Sequence, residues 1–147
     1  MPKFNKIQQL RVNPDRTATM TLYDLEGEPQ LELAPATEAN KPYFNALLKK
    51  QRKNIGRARA RNFSAGMTKE ARDNDRELYA THVARGWKRV KDDDGNDVSF
   101  TVENAQAFFE ALPDHIFDEV RLFATDPHNF VSEGVDVEEL SGNSQSD

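Results

Sequence analysis

The chain of 147 residues is long enough for one domain with a real core, and its balance of 37% hydrophobic to 31% charged residues predicts that this core is modest. It contains no cysteine, which excludes disulfide staples, thiolate chemistry and cysteine-ligated zinc. No apolar signal region follows Met1, and no run approaches the ~20 apolar residues of a membrane helix, so the expectation is a soluble cytoplasmic protein with no membrane contact.

In chain order, Ile7 to Val12, closed by Asn13-Pro14-Asp15, reads as a strand. Thr17 to Tyr23 alternates and is rich in strand formers, Asp24 to Pro29 supplies turn residues, and Gln30 to Leu33 alternates again, which predicts a hairpin. After Pro35 the period becomes helical. Thr37 or Asn40 can cap a helix carrying Tyr43, Phe44, Leu47 and Leu48 and ending near Gly56. Thr68 can cap a second helix running to about Arg85, with Gly86 as its stop. Trp87 and Val90 are expected to pack, Lys88, Arg89 and Lys91 to face water, and Asp92 to Asp97 to turn a hairpin spanning 87–100, with Gly95 or Asn96 at positive φ. Thr101 caps a helix over 102–112 with Val102, Ala105, Phe108, Phe109 and Leu112 in one stripe, and Pro113-Asp114 starts another with Ile116, Phe117, Val120, Leu122 and Phe123.

Six of the nine phenylalanines fall between residues 100 and 130, which places the expected core in the C-terminal half. The fold class expected is α+β: a mainly helical C-terminal core interrupted by a short β-hairpin, plus an N-terminal β-hairpin portion. The corresponding divisions are 1–35 (strands), 36–66 (basic helix and linker), 67–130 (helical core) and 131–147 (acidic tail of disordered composition).

The net charge of −5 is unevenly spread. Lys41, Lys49, Lys50, Arg52, Lys53, Arg57, Arg59 and Arg61 fall in a 21-residue stretch without one acid, whereas 131–147 carries acids and no base. The basic run could neutralise phosphates, with Tyr43, Phe44 and Phe63 as stacking platforms, but a pI of about 5.3 is wrong for a dedicated nucleic-acid binder. A basic arm that meets an acidic protein, or that simply stays solvated, fits at least as well.

Catalytic signatures are missing. Asp92, Asp94, Asn96 and Glu103 match positions of a calcium loop, yet Asp97 stands where the loop demands glycine. His82, His115 and His128 are scattered, His115 and Glu119 one turn apart read as a surface pair, and there is no serine elbow or phosphate loop. The expectation is a non-enzyme without cofactor or metal.

Several segments in order carry a resemblance. These are Ala36 to Asn45, His82-Val83-Ala84-Arg85-Gly86-Trp87, Asp94-Gly95-Asn96, Val98-Ser99-Phe100-Thr101-Val102-Glu103-Asn104, Leu112-Pro113-Asp114 and Asp126-Pro127-His128-Asn129-Phe130. Together they resemble tail assembly chaperones of long-tailed bacteriophages. That resemblance implies a small, mostly helical protein of the infected host's cytoplasm, which binds the tape-measure protein, keeps it soluble and helps tail-tube subunits polymerise around it. It carries no catalytic residues with it. Candidate contacts are Lys49, Lys50, Arg52, Lys53, Arg57, Arg59 and Arg61 on the basic helix, and a groove of Phe108, Phe109, Phe117 and Phe123 for an amphipathic helix, although the ordinary role of such aromatics is to fill a core. A virion structural part, such as a connector or tail terminator, and a nucleic-acid-associated phage protein are the other readings, and homo-oligomerisation is compatible with all three.

Overall fold

The computed structural model describes residues 1–60 and 65–131, the side chains of 53–60 and 65–68 excepted. Their architecture is α+β, with a short helix α1 (Asn5–Gln8), strands β1 (Ala18–Thr21) and β2 (Gln30–Leu33), long helices α2 (Lys41–Ala60) and α3 (Ala65–His82), strand β3 (Ala84–Lys88), helices α4 (Val102–Ala111) and α5 (Asp114–Thr125), and a 3-10 turn Pro127–Phe130.

The three strands form one antiparallel sheet in the order β1-β2-β3. Met20 pairs with Leu31 and Leu31 with Trp87, so every second residue shares the inner face, where Leu31 and Leu33 are fully buried. Thr19, Glu32 and Gly86 lie opposite one another on the outer face. The β1–β2 turn uses Gly27 at φ 82°, a left-handed conformation that glycine adopts without a Cβ clash.

Three expectations are corrected here. Residues 7–12 do not form a strand: Asn5–Gln8 is helical, and Val12 makes a single bridge to Val131. Pro14, without an N–H, cannot carry a ladder onward from that bridge. The first long helix continues through Gly56 to Ala60, since one interior glycine costs only about 1 kcal/mol. The second helix begins at Ala65, ahead of Thr68, and stops at His82. Gly86 is therefore a strand residue, because β2 offers an open edge that Ala84–Lys88 satisfies.

The 87–100 segment is also rearranged. Its tip turns as expected, with Gly95 at φ 84°, Asp92 N donating to Asn96 O at 2.9 Å, and Lys91 bridging Asp97. The start of its first arm, Trp87–Lys88, pairs with β2, while the hairpin pairing is confined to its tip, where Val98 N donates to Val90 O at 2.9 Å and Lys91 bridges Asp97. Trp87 consequently joins the N-terminal hairpin to the helices: its Nε1 donates to Val98 O at 2.8 Å, and its ring meets Phe100 and Phe108 edge-on.

The core is correspondingly not confined to the C-terminal half. One buried cluster unites Leu22, Leu31 and Leu33 from the hairpin, Tyr43 from α2, Leu78 and Tyr79 from α3, and Phe109, Phe117 and Val120 from α4 and α5. Tyr79 is its hub, with the rings of Tyr43, Phe109 and Phe117 around it at 5.8, 6.4 and 5.5 Å. Thr101 caps α4 as its sequence position predicts, accepting from Asn104 N at 3.0 Å.

Candidate partner-binding site

The basic helix begins at a well-built corner. Asn40 is buried; its Oδ1 accepts from Tyr43 N at 3.3 Å, while its Nδ2 donates to Pro35 O and His82 O, both at 2.9 Å. One side chain thus caps α2 and ties it to the end of α3. Tyr43 then anchors the helix, donating to Asp75 Oδ1 at 2.8 Å; burial first, and then the Asp75 charge, push its phenol far above the ordinary tyrosine range.

Beyond Tyr43 the cations sort by environment. Lys50 is paired with Glu77 at 2.9 Å. Lys49 and Arg52 are exposed and line an open cleft of about 460 Å³ with Pro42, Asn45, Ala46, Leu48 and His82. Burial, and then the nearby Arg85 charge, hold the His82 imidazole below its ordinary pKa. The side chains of Lys53, Arg57 and Arg59, and the whole of Arg61, lie outside the described residues. Of the predicted basic contacts, the structure therefore brings Lys49 and Arg52 to one cleft.

The expected groove of four phenylalanines is not present as an open surface. Phe109 and Phe117 are fully buried and pack on each other at 5.6 Å, whereas half-buried Phe108 meets Trp87 and half-buried Phe123 meets Phe130. Helical geometry explains the division: consecutive residues such as 108 and 109 point about 100° apart, and a separation of six, as between 117 and 123, leaves about 120°.

Sequence reading passed over a charged network beneath this surface. Arg72 grips Asp118 with Nε and Nη2 at 3.0 and 2.9 Å. Arg76 donates to Asp114 at 2.7 Å and to the carbonyls of Phe109 and Leu112, satisfying the C-terminal end of α4, and its guanidinium lies 4.9 Å from the Phe117 ring centroid. Arg121 bonds both Asp75 and Asp118. The available signal was spacing, since Arg72, Asp75, Arg76 and Tyr79 recur at three and four residues along α3, as core residues do. Each carboxylate here is held by arginine or tyrosine, which makes the network a brace between α2, α3, α4 and α5.

Among the described residues no group of three or more His, Asp or Glu is placed to hold a metal ion, and no helix is long and apolar enough to cross a membrane. Asp92 turns its Oδ1 inward to the backbone N–H groups of Asp94 and Asn96, completing the turn of its own loop.

No curated protein and no solved structure matches the chain. The family model described as YdaY prophage protein matches residues 39–140, a span that runs from the α2 cap through the cleft, the Trp87 segment and the whole α4–α5 region. This is a phage-derived protein, and the chain belongs to the YdaY prophage protein family.

Proposed function

We propose that the protein is a non-catalytic tail assembly chaperone, which in the host cytoplasm binds the tape-measure protein and promotes assembly of tail-tube subunits around it. Two facts make the reading coherent: the chain is phage-derived, and its ordered segments resemble those of such chaperones. The observation that carries it is the division of labour along α2. Its first turns supply Tyr43, Ala46 and Leu47 to the core, while the helix continues to Ala60, about 15 Å beyond its core-anchored half, within a stretch that holds eight bases and no acid. A basic helix extending from a braced core is suited to contacting another protein.

The experiment is co-expression with the tape-measure protein encoded by the same prophage. The expected result is tape-measure protein in the soluble fraction, co-purifying with this chain and absent from it when the chain is omitted. Equal insolubility with and without the chain overturns the proposal. Recovery of this chain as a stoichiometric component of purified virions replaces it with a structural role.

A further inference from the structure

The cleft beside α2 follows one face of a helix. Pro42, Asn45, Ala46, Lys49 and Arg52 succeed one another at helical spacing, which aligns them in a stripe about 15 Å long, and His82 at the end of α3, whose carbonyl is bonded by the α2 cap Asn40, also lines the cleft. Pro42, Ala46 and Leu48 make part of this surface apolar. Lys49 and Arg52 are exposed, Arg85 stands near His82, and none of the seven lining residues is acidic. Lys50 on the same helix and Lys69, Arg72, Arg76, Lys91 and Arg121 each sit within 4 Å of a carboxylate.

We propose that this cleft is the docking groove for an acidic amphipathic helix of a protein partner. The apolar stripe of the incoming helix lies along Pro42 and Ala46, one turn apart on α2, and its carboxylates face Lys49 and Arg52. The straight run of lining residues matches about three turns of a partner helix packed alongside α2. Complementary charge then sets its register and excludes basic segments. A nucleic acid fits less well. No phenylalanine, tyrosine or tryptophan lines the cleft for base stacking, and Tyr43 is turned into the core and bonded to Asp75. The inference rests on the chaperone reading for one point: if that reading holds, the helix belongs to the tape-measure protein.

The test uses the full-length protein and fluorescence anisotropy at physiological ionic strength. The probes are a fluorescein-labelled helical peptide built of leucine, alanine and glutamate, its lysine-for-glutamate counterpart, and a single-stranded oligonucleotide. Lys49→Glu/Arg52→Glu removes the charge, Asn45→Trp fills the cleft at an exposed position without altering charge, and Lys3→Glu/Lys6→Glu makes the same charge change outside the cleft. The expected result is saturable binding of the acidic helix, weakened at least about tenfold by each cleft variant and less than about twofold by the control, with no binding of the basic counterpart. No binding of the acidic helix, equal weakening by the control, indifference to Asn45→Trp, or tighter binding of the oligonucleotide through the same residues would each overturn the proposal. Co-expression separates it from the chaperone reading: tape-measure protein kept soluble by Lys49→Glu/Arg52→Glu sinks the cleft and spares the chaperone, whereas peptide binding by a protein that leaves the tape-measure protein insoluble does the reverse.

Discussion

Arg121 on α5 and Asp75 on α3 form an inward-facing ion pair, with Arg121 Nε donating to Asp75 Oδ2 at 2.9 Å. The second oxygen of Asp75 accepts from the Tyr43 hydroxyl of α2 at 2.8 Å, so a single carboxylate holds three helices. Replacing it strands both partners. Asp75→Ala is expected to cost about 3–5 kcal/mol, the range for breaking a buried pair from one side. Urea denaturation measures this, and a loss below about 1 kcal/mol would show that the brace is dispensable.

Two buried tyrosines on neighbouring helices are expected to respond differently to loss of the hydroxyl. Tyr43 donates to Asp75, whereas the Tyr79 hydroxyl has no hydrogen-bond partner among the described residues. Tyr43→Phe removes a bond to a charged acceptor and should cost about 1.5–3 kcal/mol, while Tyr79→Phe removes a desolvated polar atom and should be neutral or stabilising. Thermal or urea unfolding of the two variants side by side distinguishes them. Equal losses would contradict the arrangement.

Acid sensitivity should centre on Asp118. Its hydrogen bonds from Arg72, and then the one from Arg121, hold its carboxyl below the ordinary aspartate value. A depressed folded pKa contributes stability that is complete above the unfolded value of about 3.9 and is lost as pH falls through the folded value. Asp75 has the opposite sign: burial raises its pKa despite Tyr43 and Arg121, so its contribution is complete below the unfolded value and declines as pH rises through the folded one. Asp118→Asn should therefore flatten the acid limb of stability below about pH 4. Urea midpoints across the acid range test it, and an acid limb as steep as that of the parent protein would refute the assignment.

Arg89 adopts φ 61°, in the left-handed region that side chains rarely occupy, and its guanidinium reaches the β1–β2 turn, donating to Gly27 O and Glu28 O at 2.8–3.2 Å. The strained backbone directs the side chain onto the turn. Arg89→Gly loses these bonds but relieves the strain, whereas Arg89→Ala loses the bonds and keeps it. The glycine variant is expected to be the more stable of the two by about 1 kcal/mol. An alanine variant equal to the glycine one would mean that the backbone strain contributes nothing.

Much of the fold is legible where a local rule suffices. Alternation in Ala18–Thr21 and Gln30–Leu33 identifies the hairpin, Thr101 announces α4, and the helical period of Ile116, Phe117 and Val120 marks the inner face of α5. The misread elements depend on distant partners. Ala84–Lys88 looks like a helix end followed by a hairpin arm until β2, fifty residues earlier, is seen to lack a neighbour. Arg89 faces water as its sequence context predicts, but the turn at Gly27–Glu28 that it also reaches comes from a distant part of the chain.

The candidate site divides the same way. The run of bases from Lys41 to Arg61 is plain in the sequence, because charge needs no partner to be counted. Which of those bases are available for a partner depends on neighbours in space: Glu77 claims Lys50, while the cleft beside His82 leaves Lys49 and Arg52 exposed. Composition and periodicity alone determined the α+β class, the acid-free helix and the Thr101 cap, since these follow from interactions within a few residues. The tertiary structure alone decided which of the four phenylalanines are fully buried and which only half, that Asp75 and Arg76 are buried, and where the cleft lies. Burial is a property of the packed assembly, and a one-dimensional pattern does not contain it.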